Sequence, residues 1–474
     1  MQMRIAGKEE PAESGEWIPV RNPATGELVD RIPAGGAGDV DRAVAAAEKA
    51  QPAWAQRSVR ERGKILSRGA GMLREEANNL ATLLVREQGK PLREAADEIR
   101  GCANVFEFYA GICAHPSDEF IDVGSIGDCI ARAVPLGVCA AIIPWNVPAI
   151  LTSWKTAPAL LTGNAVVLRP SSSAPLTVLS IAVVLEKAGL PPGALNVITG
   201  TGEESGMALV RHKRVQKVSF TGSTDTGQAV LAAAQGTSKR VALELGGSDP
   251  MIVWKDADLE KAVQGAVHGR FYNAGQTCTA VKRLYLHEMI ADQFLQMLTE
   301  KVRALRVGNG LSPDIDMGPL HTRVQRDRVL EILQRSLGSG KVIVGGGTFS
   351  GSAYDAGFFL QPTLVTGVDR QSPLLTEEVF GPVLPVMKFA DLDEAISSAN
   401  TSRYGLGASV WTRDWKVAER VFREVQAGIV WMNRNLTVPP EVPFGGMKES
   451  GSGRENGYQA LRQYTQIRSF IIGR

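Results

Sequence analysis

Phe271-Tyr272-Asn273-Ala274-Gly275-Gln276-Thr277-Cys278-Thr279-Ala280 places one cysteine among small and polar residues, directly after an apolar-periodic run from Leu259 to about Phe271 that reads as a helix. Thirty-four residues upstream lies Leu243-Glu244-Leu245-Gly246-Gly247, in which a carboxylate ends an apolar strand and two glycines let the backbone turn. A thiolate attacks carbonyl carbon well near neutral pH, and the thioester it forms is a good acyl donor to water. A carboxylate shielded from water has a raised pKa and can accept a proton at neutral pH. Cys278 is therefore read as the nucleophile and Glu244 as the base that later activates water.

Working outward, residues 137–244 alternate strands and helices. Short apolar runs at Gly137 to Ile143, Asn164 to Leu168, Leu195 to Ile198, Val215 to Phe220 and Val241 to Leu245 enclose helical stretches such as Leu176 to Ala188 and Gln228 to Gln235. This alternation predicts an α/β fold with a parallel sheet and crossover helices. A second α/β region runs from 247 to about 445, with strands expected at Leu284-Tyr285-Leu286, Leu384 to Phe389, Ala408 to Trp411 and Gly428 to Met432. Residues 1–35 read as an edge hairpin or ordered arm. From Val59 to about Tyr109 the pattern is helical, broken near Gly89-Lys90-Pro91, and its many charges read as a solvated face. Phe120 to Ile130 reads as two strands around a Gly/Ser turn, and the tail Tyr464 to Ile472 alternates like an exposed strand.

The chain has 474 residues, too many for one ordinary core, so two or three domains are expected. Lys+Arg is 52 against 50 for Asp+Glu, and this balance argues against nucleic acid or an anionic membrane as partner. The five cysteines are odd in number, form no CxxC and pair with no His at ligand spacing, so neither a disulfide framework nor a metal site is expected. No apolar signal core opens the chain and the longest apolar run, Ala133 to Ile143, is interrupted by Pro135 and Gly137. A cytoplasmic location is the corresponding expectation.

Phe220-Thr221-Gly222-Ser223-Thr224-Asp225-Thr226-Gly227 lies between an apolar strand and an alanine-rich helix. Free N–H groups at a helix start, with glycine allowing close approach, suit a pyrophosphate. Six motifs then occur in order: Pro144-Trp145-Asn146, this turn, Glu244-Leu245-Gly246-Gly247, Gly275-Gln276-Thr277-Cys278, Glu378-Val379-Phe380-Gly381-Pro382 and Pro443-Phe444-Gly445-Gly446. With the 34-residue Glu–Cys interval they resemble the NAD(P)-dependent aldehyde dehydrogenase superfamily, from about Asn22 to the tail.

The resemblance implies a variant Rossmann cofactor domain (1–116 and 135–246), an α/β catalytic domain (247–446) and a small β oligomerisation arm (117–134 and 460–474) that builds a homodimer or homotetramer. It implies that Cys278 attacks the aldehyde while the Asn146 amide and the Cys278 N–H hold the oxyanion. Such donors are worth roughly 3–4 kcal/mol each. The adduct then gives hydride to the nicotinamide, and Glu244 activates the water that hydrolyses the thioester. Glu378 resembles the residue that holds the nicotinamide ribose, Phe380 one that packs by the ring, and Trp145, Gly222 and Ser223 match positions near the pyrophosphate. His268 stands ten residues before Cys278 and reads as a helix histidine, so thiolate formation is expected to rely on backbone dipoles and the cofactor.

The chain departs from the family pattern in two places. The usual adenosine-ribose lysine is Arg169, and the Glu that NAD-specific members carry three residues on is Ser172. A hydroxyl beside a guanidinium can bind a 2′-phosphate, so NADP is expected to be accepted, with NAD not excluded because Glu203 and Glu204 flank the same ribose. In the substrate funnel, Trp154 and Tyr272 replace the arginines of succinate-semialdehyde members, and Val147, Leu436, Val438 and Phe444 complete a mostly apolar pocket with Arg434 and Glu441 at its mouth. An uncharged aromatic or medium-chain aldehyde is the expected substrate, with a polar semialdehyde or a non-enzymatic binding role on the same scaffold as alternatives. A CoA-acylating outcome is disfavoured because Glu244 is retained.

Overall fold

The computed structural model describes residues 1–112 and 118–473; Cys113, residue 117 of the expected arm and residue 474 lie outside the described residues. Its first sheet is built on five parallel strands, in the spatial order Leu195–Val197, Ala165–Arg169, Val138–Ile142, Val215–Thr221 and Arg240–Glu244. Val138–Ile142 and Ala165–Arg169, at the centre of this sheet, are buried throughout because helices cover both faces. Alternate side chains of one strand enter different cores: Cys139 and Ala141 meet the helices Pro148–Leu161 and Leu176–Lys187, while Val138, Ala140 and Ile142 meet the helix Ala37–Gln56 and its neighbours. The expected edge hairpin is present: Met3–Ile5 pairs antiparallel with both Lys8–Glu10 and Leu195–Val197. At the other edge Gly451–Ser452 pairs antiparallel with Arg240–Glu244.

The second sheet holds the strands expected beyond residue 247. Its order is Lys341–Val344, Thr363–Thr366, Val383–Phe389, Val281–His287, Asp249–Val253, Gly407–Trp411, Ile429–Met432, all parallel except the first, which pairs antiparallel at the edge. No helix among the described residues is long and apolar enough to cross a membrane.

The third sheet is antiparallel and three-stranded: Thr465–Gly473, Gly127–Pro135, Asp118–Asp122. The two strands expected around a Gly/Ser turn are the last two of these, and the tail pairs with Gly127–Pro135 from Thr465↔Pro135 to Gly473↔Gly127. The alternation read in the tail does not become one buried and one exposed face. Every residue from Gln466 to Gly473 is exposed, because no element among the described residues covers either face. Phe120, Ile467, Phe470 and Ile471 are each more than 60% exposed.

The helical stretch corrects one expectation. It forms Val59–Glu75, Ala77–Gln88 and Leu92–Ile112, and Gly89 ends the second helix at φ +103. Its charges are not all a solvated face, for Glu87, Lys90, Glu94 and Glu98 are buried. The periodicity that makes a helix does not say whether a charge on its inward side finds a partner, and each of these does. Glu87 accepts the Leu176 and Thr177 N–H groups at the start of a neighbouring helix, where the helix dipole favours a carboxylate. The other three converge on the site below.

Candidate active site

In the first sheet the strand order reverses between Val138–Ile142 and Val215–Thr221: the chain proceeds outward on one side through Ala165–Arg169 and Leu195–Val197, and on the other to Arg240–Glu244. The crevice beyond the carboxyl ends of strands at such a reversal is where open α/β sheets take ligands. Ile142 leads there into Pro144-Trp145-Asn146-Val147, and Thr221 into Gly222-Ser223. Ser223 caps the helix Thr224–Ala234, accepting the Thr226 N–H at 3.3 Å. Glu244 ends the last strand.

The cysteine arrives from the second α/β unit. Asp258 caps the helix Leu259–Phe271, which is followed by a turn at Tyr272–Gly275 with Asn273 and Ala274 at φ +51 and +54. Left-handed backbone at two consecutive non-glycine residues is costly and persists where the surroundings over-determine it. Here they do. The Asn273 N–H donates to Glu94 Oε2 at 2.8 Å, its Oδ1 accepts from Gln88 Nε2 at 3.0 Å, and its Nδ2 donates to the Asn146 carbonyl at 2.9 Å. Lys90 Nζ donates to the same carbonyl at 2.8 Å and pairs with Glu98, whose Oε1 accepts the Ala149 N–H at 2.8 Å. The Asn146 amide donates to the Gln276 carbonyl at 3.1 Å. The buried charges of the helical stretch thus tie the Asn146 loop to the Cys278 turn.

Both turns open on one cavity of about 570 Å³. Asn146, Glu244 and Cys278 line it together with Trp145, Gly222, Ser223, Glu378 and Phe380, and so do Val147, Trp154, Tyr272, Leu436, Val438 and Phe444. Arg434 and Glu441, expected at its mouth, are exposed and outside the lining. The polar groups at that end are instead Asp97, Glu98 and His268, the last edge-on to the Tyr272 ring at 5.4 Å. Arg169 and Ser172 also lie off the main cavity. Arg169, at the end of its strand, donates Nη2 to the Gly200 carbonyl at 2.6 Å, beside the turn that carries the exposed Glu203 and Glu204, and Ser172 is half-buried.

Burial dominates the electrostatics. Glu244 is 4% exposed, its Oε2 lacks a hydrogen-bond partner, and desolvation followed by the Glu455 carboxylate holds its pKa well above the usual value. Glu455 is itself held by Lys155 and by Ser219 Oγ at 2.9 Å. Burial pushes the Cys278 thiol up to about 12. Glu378 reaches the site because two glycines follow Glu244. Gly247 N–H donates to Glu378 Oε1 at 3.0 Å, and a Cβ on Gly246 would sit 2.2 Å from Glu378 Oε2.

The residues fit a dinucleotide. Near the helix start, Thr221 Oγ1 is buried without a hydrogen-bond partner, and so is Arg169 Nε. Trp145 meets Phe380 edge-on at 5.7 Å. Sequence reading missed His321, which stacks on Trp145 at 4.4 Å, bonds Ser173 Oγ through Nε2 at 2.7 Å and donates its backbone N–H to Gln276 Oε1 at 2.8 Å. A lone histidine between Leu320 and Thr322 carries no spacing signal. Lys90, Glu94, Glu98, Lys155, Lys282 and Glu455 were missed because burial of a charge is not visible in a pattern.

Comparison with known proteins agrees. The aldehyde dehydrogenase family model matches residues 10–470. Betaine aldehyde dehydrogenase of Brucella anthropi is 40% identical over 470 residues, covering 99% of this chain and 96% of that protein. Among solved structures, PnpE from Pseudomonas sp. WBC-3 superposes with a TM-score of 0.98 at 39% identity, over 100% of this chain and 97% of its own. PnpE is also known in complex with nicotinamide adenine dinucleotide. Betaine aldehyde dehydrogenase (betB) from Staphylococcus aureus in complex with NAD+ gives 0.97 at 34% identity, over 100% of this chain and 95% of its own. This chain belongs to the aldehyde dehydrogenase family, as an oxidoreductase that uses a nicotinamide cofactor.

Proposed function

We propose that this enzyme oxidises a small polar aldehyde, cationic at its far end, to the carboxylic acid. The observation that carries this reading is the far wall of the cavity. Trp154, Phe444 and Tyr272 present aromatic surface there, with Trp154 and Phe444 5.1 Å apart, beside the carboxylates of Asp97, which pairs with Arg100, and Glu98, which pairs with Lys90. A quaternary ammonium group over aromatic faces gains about 0.5–2 kcal/mol. Arg328, which also lines the cavity, is committed to Glu331 and Glu377 and lies among the cofactor-side residues. The named relatives at 40% identity act, by their names, on betaine aldehyde. The expectation of an uncharged aromatic or medium-chain aldehyde counted the rings and missed the carboxylates.

In this reading Cys278 Sγ adds to the aldehyde carbon, and the Asn146 amide with the Cys278 N–H receives the oxygen as it gains charge. Trp145, Gly222, Ser223, Glu378 and Phe380 hold the dinucleotide, which when bound supplies the two-electron oxidant. Glu244 takes the proton of the water that attacks the thioester carbonyl, returning Cys278 as product acid leaves. The bare three-stranded sheet is the surface through which copies associate as a dimer or tetramer. The test is kcat/KM for betaine aldehyde, hexanal, benzaldehyde and succinic semialdehyde. Betaine aldehyde should lead the uncharged pair by about twofold to thirtyfold, from the cation–π term alone. A lead for hexanal or benzaldehyde would return the substrate to the uncharged class.

For the cofactor we infer that Arg169 and Ser172 admit NADP as well as NAD. Ser172→Glu should then shift the enzyme toward NAD. Like charges at about 4 Å cost roughly 4 kcal/mol at a surface dielectric, before salt screening, and a third of that is about tenfold in affinity. The ratio of NADP to NAD efficiencies should fall accordingly, with turnover at saturating NAD little changed. An unaltered ratio would mean that this turn does not read the ribose.

A further inference from the structure

Four charged side chains from four segments bear on Cys278, and three of them are carboxylates. Glu244 comes from the end of Arg240–Glu244, Asp249 from the start of Asp249–Val253, and Glu378 from the segment after the short helix Pro373–Thr376. The fourth is Lys282, second residue of the strand Val281–His287 and 1% exposed. Its ammonium donates to the Cys278 carbonyl at 2.6 Å and to the Thr277 carbonyl at 3.0 Å, and meets Glu378 Oε1 at 3.3 Å. Those partners saturate its three N–H bonds. The Glu378 oxygen it meets is the one that also accepts the Gly247 N–H.

We propose that Lys282 is a positioning residue that holds the Cys278 turn and supplies the positive charge that sustains the thiolate, with Glu378 as the opposing charge that restrains it. This inference rests on the assignment of Cys278 as nucleophile. A thiolate needs a neighbouring cation or dipole, and Cys278 has no imidazole beside it. Among the interacting charges, Lys282 is the one that lowers the thiol against burial and the three carboxylates. A ligand that draws Glu378 into its own hydrogen bonds leaves more of the ammonium's field on the cysteine. Glu378 is the residue proposed above to hold the nicotinamide ribose, so arrival of the cofactor and activation of the nucleophile become coupled.

The test is the pH dependence of Cys278 alkylation by iodoacetamide in the cofactor-free enzyme, followed by peptide mass mapping. The leaving proton goes to solvent and the thiolate displaces iodide. Lys282→Gln should move the midpoint up by about one unit or more, a loss of about tenfold in rate near neutral pH. Lys282→Arg should retain most of the wild-type profile, and Glu378→Gln should move the midpoint down. Superimposed profiles for wild type and a Lys282→Gln protein that still binds NADH would overturn the proposal. Should Lys282→Gln fail to fold, Glu378→Gln decides alone, and an unchanged or raised midpoint there overturns it. None of these outcomes touches the nucleophile assignment, which stands or falls on turnover of Cys278→Ala.

Discussion

Cys278→Ala is expected to abolish aldehyde oxidation while leaving dinucleotide binding nearly intact. The sulfur lines the same cavity as Trp145, Ser223 and Phe380, but it is the adduct that requires it. The substitution leaves the backbone in place, and Lys282 keeps its bonds to the Cys278 and Thr277 carbonyls. The Cys278 N–H and the Asn146 amide survive the change, so part of the oxyanion site persists without a nucleophile to use it. Loss of a covalent nucleophile costs several orders of magnitude, so residual turnover should lie below about one per cent. Turnover above that level, with NADH binding measured alongside, would place the chemistry elsewhere.

Glu244→Gln should separate the two halves of the reaction. In the proposed mechanism, formation of the thioester does not need this carboxylate, whereas its hydrolysis does. The expected record is a burst of reduced cofactor close to about one equivalent per site, followed by slow steady turnover, the fingerprint of an accumulating acyl-enzyme. Equal loss of burst rate and steady rate would put Glu244 at or before the oxidative step. The wild-type enzyme should show a matching pH dependence. Burial and Glu455 raise the pKa of Glu244, so its basic form is lost on acidification at a higher pH than an ordinary carboxylate would lose it. Steady-state turnover should therefore fall with decreasing pH before the burst amplitude does.

The chain's local grammar made much of this legible. The short apolar strands, the Asp258-capped helix into Tyr272–Gly275, and the glycines at 222, 246 and 247 are short-range features, each dictated by propensity, capping or the room a backbone needs. They placed the parallel sheets and, with the motif order, drew Cys278, Glu244, Asn146 and the ring of cofactor and funnel residues into one expected site. The α/β fold class follows from that level alone, and the reaction class from the resemblance that the six ordered motifs carry.

What only the tertiary structure decided is the fate of the charges. A helix pattern gives Glu94, Glu98 and Lys90 the same local description as their solvated neighbours. Whether a charge stays in water or is buried depends on a partner far away in sequence, and here the partners are Asn273, Ala149 and Asn146. The same holds for His321 against Trp145 and Lys282 against Glu378. It also holds for Asp97 and Glu98 at the cavity wall, on which the proposed polar substrate rests. Burial makes a charge expensive unless a specific partner meets it. That partner is a property of the packed elements, so sequence by itself determined the backbone that carries the chemistry, and tertiary contact decided the field in which it works.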